Sequence, residues 1–143
     1  MHTIRTYHTL PAEAAFLRRR IFMEEQGFRD EFDETDRTAA HLVLFGADGA
    51  PLAVCRYFPG GGSSYLVGRL AVRKDCRGRG LGAELLREAE RQIAACGGTE
   101  VRLAAQTHAH ALSFYEQFGY AAEGGEFPEE HCPHIWMRKT LRP

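Results

Sequence analysis

The chain has 143 residues, 44% hydrophobic and 26% charged, which is one domain's worth of globular protein and excludes both disorder and a fibrous repeat. Eighteen Lys and Arg against nineteen Asp and Glu leave a net charge of -1, the wrong balance for a protein that coats nucleic acid. Apolar runs such as Leu42–Phe45 are far too short to span a membrane, residues 1–6 lack a secretory signal's apolar core, and the scattered Cys55, Cys76, Cys96 and Cys132 suit a reducing, cytoplasmic compartment.

In chain order, Thr3 to Tyr7 alternates as a first strand. Pro11 fits the first position of a helix, where its missing N–H is not needed. Ala14, Phe16, Leu17, Ile21 and Phe22 then recur at helical spacing to about Glu24. From Glu24 to Asp36 seven of thirteen residues are acidic and only Arg29 is basic, which reads as a loop or broken helix. His41–Phe45 and Leu52–Phe58 are strands of a hairpin around the Asp48-Gly49 turn signal. The glycine run after Pro59 connects to a strand over Tyr65–Val72. Leu81, Leu85, Leu86, Ala89 and Ile93 share one side of a helix that Gly97-Gly98 stops. A buried strand over Val101–Ala105, a helix over Ala109–Phe118, a strand starting at Tyr120 and a last strand over Ile135–Leu141 complete the chain. The order β-α-β-β-β-α-β-α-β-β predicts one mixed α/β domain over residues 1–143.

The segment between the fourth strand and the second helix is the most informative. Four of the seven residues from Arg73 to Arg79 are basic, and Gly78, Gly80 and Gly82 follow one another at the helix start. Glycines there let successive backbone N–H groups converge, and the helix end adds partial positive charge, so the loop suits a phosphate or pyrophosphate. The bland reading is a tight turn with solvated arginines. Gly78 to Ala83 formally satisfies the dinucleotide fingerprint G-x-G-x-x-G/A, but that motif belongs after a first strand, and Glu100 begins its strand instead of ending it. The Walker pattern fails, because no Gly-Lys-Ser/Thr follows.

Arg77-Gly78-Arg79-Gly80-Leu81-Gly82 also reads R-x-x-G-x-G, and Ala111-Leu112-Ser113-Phe114-Tyr115-Glu116-Gln117-Phe118-Gly119-Tyr120 reads A-x-x-F-Y-x-x-x-G-F/Y. Together these segments resemble the GNAT superfamily of N-acetyltransferases. The likeness extends to a narrower ElaA/YjcF-type branch through Arg20–Gln26, Asp33, Asp36, His41, Ala105-Gln106-Thr107, Glu126-Phe127 and Pro133–Met137. His108 departs from an Asn common in the wider family, so no role transfers to it. His131-Cys132 departs from the branch as well.

The resemblance implies an α/β (α+β) fold, a single domain whose mixed, mostly antiparallel sheet is splayed between strands 4 and 5 and flanked by helices. It implies acetyl-CoA as cosubstrate, no metal, and direct acetyl transfer to the amine of a small molecule or to an amino-terminal group. Residues Arg77, Gly78, Arg79, Gly80, Leu81, Gly82 and Ala83 would cradle the coenzyme phosphates. Backbone groups of Leu70, Ala71 and Val72 would receive the thioester, and Tyr115 would bind coenzyme and protonate the leaving thiolate. Glu25 and His134 are the base candidates. Against these stand plainer assignments: Tyr115 as a core aromatic, the acidic residues as a solvated face, His41 and His134 as structural histidines. His131, Cys132 and His134 do not complete a four-ligand metal set. The acidic segment, opposite in sign to the coenzyme loop, predicts a cationic acceptor. No nucleic-acid or membrane partner is expected, a homodimer stays open, and the alternative is a non-catalytic acyl-CoA-binding or regulatory module of the same fold.

Overall fold

A computed structural model describes residues 2–107 and 110–142. Seven strands form one sheet: β1 (Thr3–Tyr7), β2 (Ala40–Phe45), β3 (Pro51–Pro59), β4 (Ser64–Val72), β5 (Glu100–Gln106), β6 (Ala121–Glu129) and β7 (Cys132–Thr140). Their spatial order is β1-β2-β3-β4-β5-β7-β6. Every neighbouring pair is antiparallel except β4 and β5. The helices are α1 (Ala12–Arg18), α2 (Leu81–Ala95) and α3 (Ala111–Gln117).

The first helix differs from its sequence reading in kind more than in length. α1 passes without a break into a π-helical turn over Arg19–Glu25, so the helical path ends where the apolar spacing ends but its turns take in more residues. Only a short 3-10 turn, Glu34–Arg37, punctuates the acidic segment that follows. The last strand begins at Cys132, three residues before the Ile135 expected from sequence, because it pairs along its length with both β5 and β6. The Ala109 end of the sequence-predicted third helix and His108 lie outside the described residues.

Strand alternation distributes the core to both faces of the sheet. Leu42 and Leu44 of β2 join Leu85, Leu86, Ala89 and Ile93 of α2 on one face. Val43, between them in sequence, joins Ala14, Leu17 and Ile21 on the other, with Val54 and Ala71. The α2 stripe is fully buried, and each of its Leu and Ile side chains contributes about 1.5–3 kcal/mol by leaving water. That packing fixes the N-terminus of α2 against the end of β4. A Cβ on Gly82 would stand in ordinary contact, 3.4 Å from Val72 Cγ2 and 3.8 Å from Phe114 Cζ, so the start of α2 lies directly against the strand end and α3.

Candidate active site

The sheet is complete at its left and right and open in the middle. β4 and β5 pair only over Ser64–Leu66 and Glu100–Arg102. Beyond Leu66, β4 follows β3, and β5 follows β7 along its whole length. The parting coincides with a bulge in β4, where Gly68 faces Arg56 but Ala71 faces Val54, so one extra residue is accommodated. Arg69 takes up the distortion at a φ of 55°, a conformation that costs a non-glycine residue about 1–3 kcal/mol. Alternate residues of β4 past Leu66 therefore turn their N–H and C=O groups toward a gap instead of a strand. The gap opens into a cleft of about 620 Å³.

One end of this arrangement is the loop between β4 and α2. Gly78 and Gly80 have φ of +82° and +78°, and a Cβ on either would meet nothing within 4 Å, so the requirement is conformational. Gly80 is the N-cap of α2 and supplies no side-chain acceptor. The first N–H groups of α2 have no intrahelical partner, and the helix end is open to an anion. The basic residues divide in two. Arg73 pairs with Asp75, and Arg77 donates to Val72 O at 2.9 Å and to both carboxylate oxygens of Glu25 at 2.6 and 2.9 Å. Lys74 and Arg79 make no ion pair among the described residues.

Of the three proposed catalytic side chains, the cleft brings together two. Tyr115 on α3 and His134 on β7 both line it. The Tyr115 ring packs edge-on against Phe114 and Tyr120, so it is at once a packed aromatic and a cleft residue. Burial pushes its phenol pKa up, which keeps it protonated through the neutral range. His134 is 5% exposed. Its Nδ1 lies 2.9 Å from the Cys132 carbonyl, an acceptor only, so Nδ1 donates and the lone pair of the neutral ring is on Nε2. Nε2 has Glu129 Oε2 at 3.7 Å, beyond hydrogen-bond reach. Glu25 is elsewhere. The Arg77 hydrogen bonds lower its pKa and join the π-helical turn to the loop between β4 and α2, so its carboxylate is committed outside the cleft.

Of the strand residues expected to receive a thioester, Leu70 lines the cleft. Ala71 and Val72 are back in register with Val54 and Ala53 of β3. His41 is buried and hydrogen-bonded to the Asp36 carbonyl, the structural role foreseen for it.

The acidic segment is not a free negative face. Arg18, 1% exposed, contacts Glu31 and Asp36 at 2.8 and 2.7 Å. Arg56 contacts Asp33 and Asp36 at 2.6 and 2.8 Å, and Arg69 contacts Glu31 and Asp33 at 2.9 and 3.4 Å. Three carboxylates and three guanidiniums thus close on one another beneath the cleft. Burial opposes ionisation of Asp36, but Arg18, the Asp33 N–H and Arg56 hold its pKa at about 2. Burial pushes Glu31 the other way, upward, against the guanidiniums that touch it. Sequence reading missed these three arginines because they come from α1, β3 and β4, and no local pattern marks an arginine destined for the interior.

The opposite wall is the tip of the β6–β7 hairpin, also unforeseen. Glu130, at a φ of 54°, accepts hydrogen bonds from the N–H groups of Arg29 and Asp30 at 2.8–3.0 Å. This clamps the acidic segment to the hairpin and sets Phe28 against His131 and His134. Gln106 of β5 donates to Gln26 at 2.9 Å and closes the same wall further in. Among the described residues no three His, Cys, Asp or Glu side chains gather as a metal site.

A sheet parted at this strand, with a glycine loop leading into the helix beside the gap, is the architecture of an acyl-CoA-using transferase. The family model described as "Acetyltransferase (GNAT) domain" matches residues 12–141, and the chain belongs to this family. Its relatives include the Bacillus subtilis protein named uncharacterized N-acetyltransferase YjcF, 29% identical over 130 residues, covering 89% of this chain and 90% of that one. A solved Lactobacillus plantarum structure superposes with a TM-score of 0.89 at 31% identity over 99% of both chains. Escherichia coli ElaA shares the fold, with a TM-score of 0.84 at 24% identity over 97% of this chain and 99% of its own. Membership of this acetyltransferase family supports acyl transfer as the chemistry of the chain.

Proposed function

We propose that the protein transfers acetyl from acetyl-CoA directly to the amine of a small molecule or to an amino-terminal group. The observation that supports this most is a single cleft, opened by the parting of β4 from β5, whose walls carry both a protonated phenol and an imidazole with a free Nε2. In this reading the loop Arg77–Ala83 holds the coenzyme phosphates through its backbone N–H groups, with Lys74 and Arg79 as the unpaired cations. His134 Nε2 takes a proton from the acceptor ammonium, and the neutral amine attacks the thioester carbonyl. N–H groups of Leu70–Val72 that face the gap stabilise the oxyanion as it forms. The carbon–sulfur bond then breaks, Tyr115 gives its proton to the departing sulfur, and the surplus proton on the new amide nitrogen restores the phenol. Glu25 has no part in this proton transfer; its task is to hold Arg77.

The test is release of thiol from acetyl-CoA against a panel of amines. Amine-dependent release that falls in both His134→Gln and Tyr115→Phe supports the assignment. Saturable acetyl-CoA binding with no release from any amine would instead identify a non-catalytic acyl-CoA-binding module.

A further inference from the structure

Which amine the cleft accepts follows from the charges that remain after its arginines are accounted for. Asp30, Glu31, Asp33, Glu129 and Glu130 line the cleft, together with Arg56 and Arg69. Glu31 and Asp33 are closed off by Arg18, Arg56 and Arg69, and Arg18 and Arg56 also hold Asp36. Asp30, Glu129 and Glu130 are left, and all three meet where the hairpin tip faces the acidic segment. Arg29 and His131 lie near Glu130 and offset part of its charge. The uncompensated charge is therefore centred on Asp30 and Glu129. Glu129 stands 3.7 Å from His134 Nε2, a nearly buried ring nitrogen in the cleft wall that no described residue hydrogen-bonds. Around these groups the walls are aromatic and aliphatic: Phe22, Phe28, Phe58, Leu70, Leu103 and Trp136.

We infer that the acceptor is a cationic amine with no carboxylate next to its reacting nitrogen, that is, a decarboxylated amine as opposed to an α-amino acid. An ammonium brought to His134 lies beside Glu129 and gains from its charge. A carboxylate one carbon away would face the same glutamate, in a site whose two lining arginines already hold other carboxylates. The apolar walls accommodate a hydrocarbon or aromatic body beyond the amine. The acidic residues of the 24–36 segment, mostly neutralised, set only part of this preference. The selective charge comes from Asp30 and the hairpin.

This inference rests on the proposed transferase reading but has a readout of its own. The protein, saturated with coenzyme A, is titrated calorimetrically with matched pairs that differ only in the carboxylate: phenethylamine against phenylalanine, and tyramine against tyrosine. One unscreened like-charge contact near the surface implies roughly tenfold tighter binding of the decarboxylated member at low salt. That ratio should shrink as ionic strength rises and in Glu129→Gln. Equal or tighter binding of the amino acids, a ratio indifferent to both salt and Glu129→Gln, or no binding of either decarboxylated amine would overturn the inference. Thiol release from acetyl-CoA, in parallel samples without added coenzyme A, reports separately on catalysis. Selective binding without release would sink acetyl transfer and leave the selectivity standing.

Discussion

The two ends of the proposed site are built by different physics. The proposed coenzyme end is local: a strand end, two left-handed glycines and the first turn of α2, within a dozen or so residues of one another in sequence. The recognition proposed there is backbone chemistry, and Arg73 and Arg77 are paired with Asp75 and Glu25. The acceptor end draws on α1, the acidic segment, β3, β4 and the tip of the β6–β7 hairpin. It is held by ion pairs whose partners lie 13 to 38 residues apart within the network and by a clamp that spans 101 residues. A cofactor common to many reactions can be bound by a portable loop. An acceptor pocket has to be shaped by the whole fold.

The largest effect is expected where the two ends meet. Tyr115→Phe keeps the ring contacts with Phe114 and Tyr120 and removes only the hydroxyl. It should lower kcat by ~10²–10⁴-fold, the range of one positioned acid, with acetyl-CoA affinity and Tm little changed. A variant that turns over at the parental rate would remove Tyr115 from the chemistry. Arg18→Met tests the acceptor wall alone. It leaves Glu31 with Arg69 and Asp36 with Arg56 as remaining cations, so the loss should approach about 3–5 kcal/mol, the cost of a broken buried pair. Urea unfolding should show that loss. A change below about 1 kcal/mol, the scale of an exposed ion pair, would mean that the network adds no more than a surface bridge.

Gly80→Val tests the coenzyme end alone. A β-branched residue is strained at that φ, and its side chain enters the space before the helix N-terminus. Acetyl-CoA affinity should weaken by roughly ten- to a hundredfold, corresponding to the ~1–3 kcal/mol typical of a misplaced backbone anion site. Unchanged affinity in a folded variant would move the phosphates elsewhere. The smallest effect is in pH. With its folded pKa held at about 2, below the unfolded value, Asp36 contributes stability that is present above pH ~4 and is lost as pH falls toward ~2, about 2 kcal/mol in all. Glu31, raised by burial, opposes part of this. Urea midpoints that stay flat from pH 5 to 2 would contradict the assignment.

How much the sequence disclosed follows the same division. The order of elements, the α2 stripe and the glycine loop could be read because each is written in neighbouring residues. The bulge at Arg69 could not: one extra residue in a strand leaves the alternation of Tyr65–Val72 almost unmarked, yet it helps to open the cleft. The acidic run was visible and its meaning was not, because the arginines that neutralise it are far away in sequence. Glu25 illustrates the same point. Its neighbours in sequence made it a base candidate, whereas its neighbour in space is Arg77. Glu129 and Glu130 sat in an acidic stretch near the C-terminus with no motif to mark them, and only the hairpin's fold-back gives them a task.

The most direct test of the account is a crystal structure with a non-transferable thioether analogue of acetyl-CoA. The account predicts its phosphates at residues 78–83 and its carbonyl oxygen within about 3 Å of a β4 N–H between Leu70 and Val72. Its sulfur should lie beside the Tyr115 hydroxyl, with the His134 ring across the cleft. An analogue whose acyl end lies outside the gap between β4 and β5, or whose sulfur is remote from Tyr115, would contradict it.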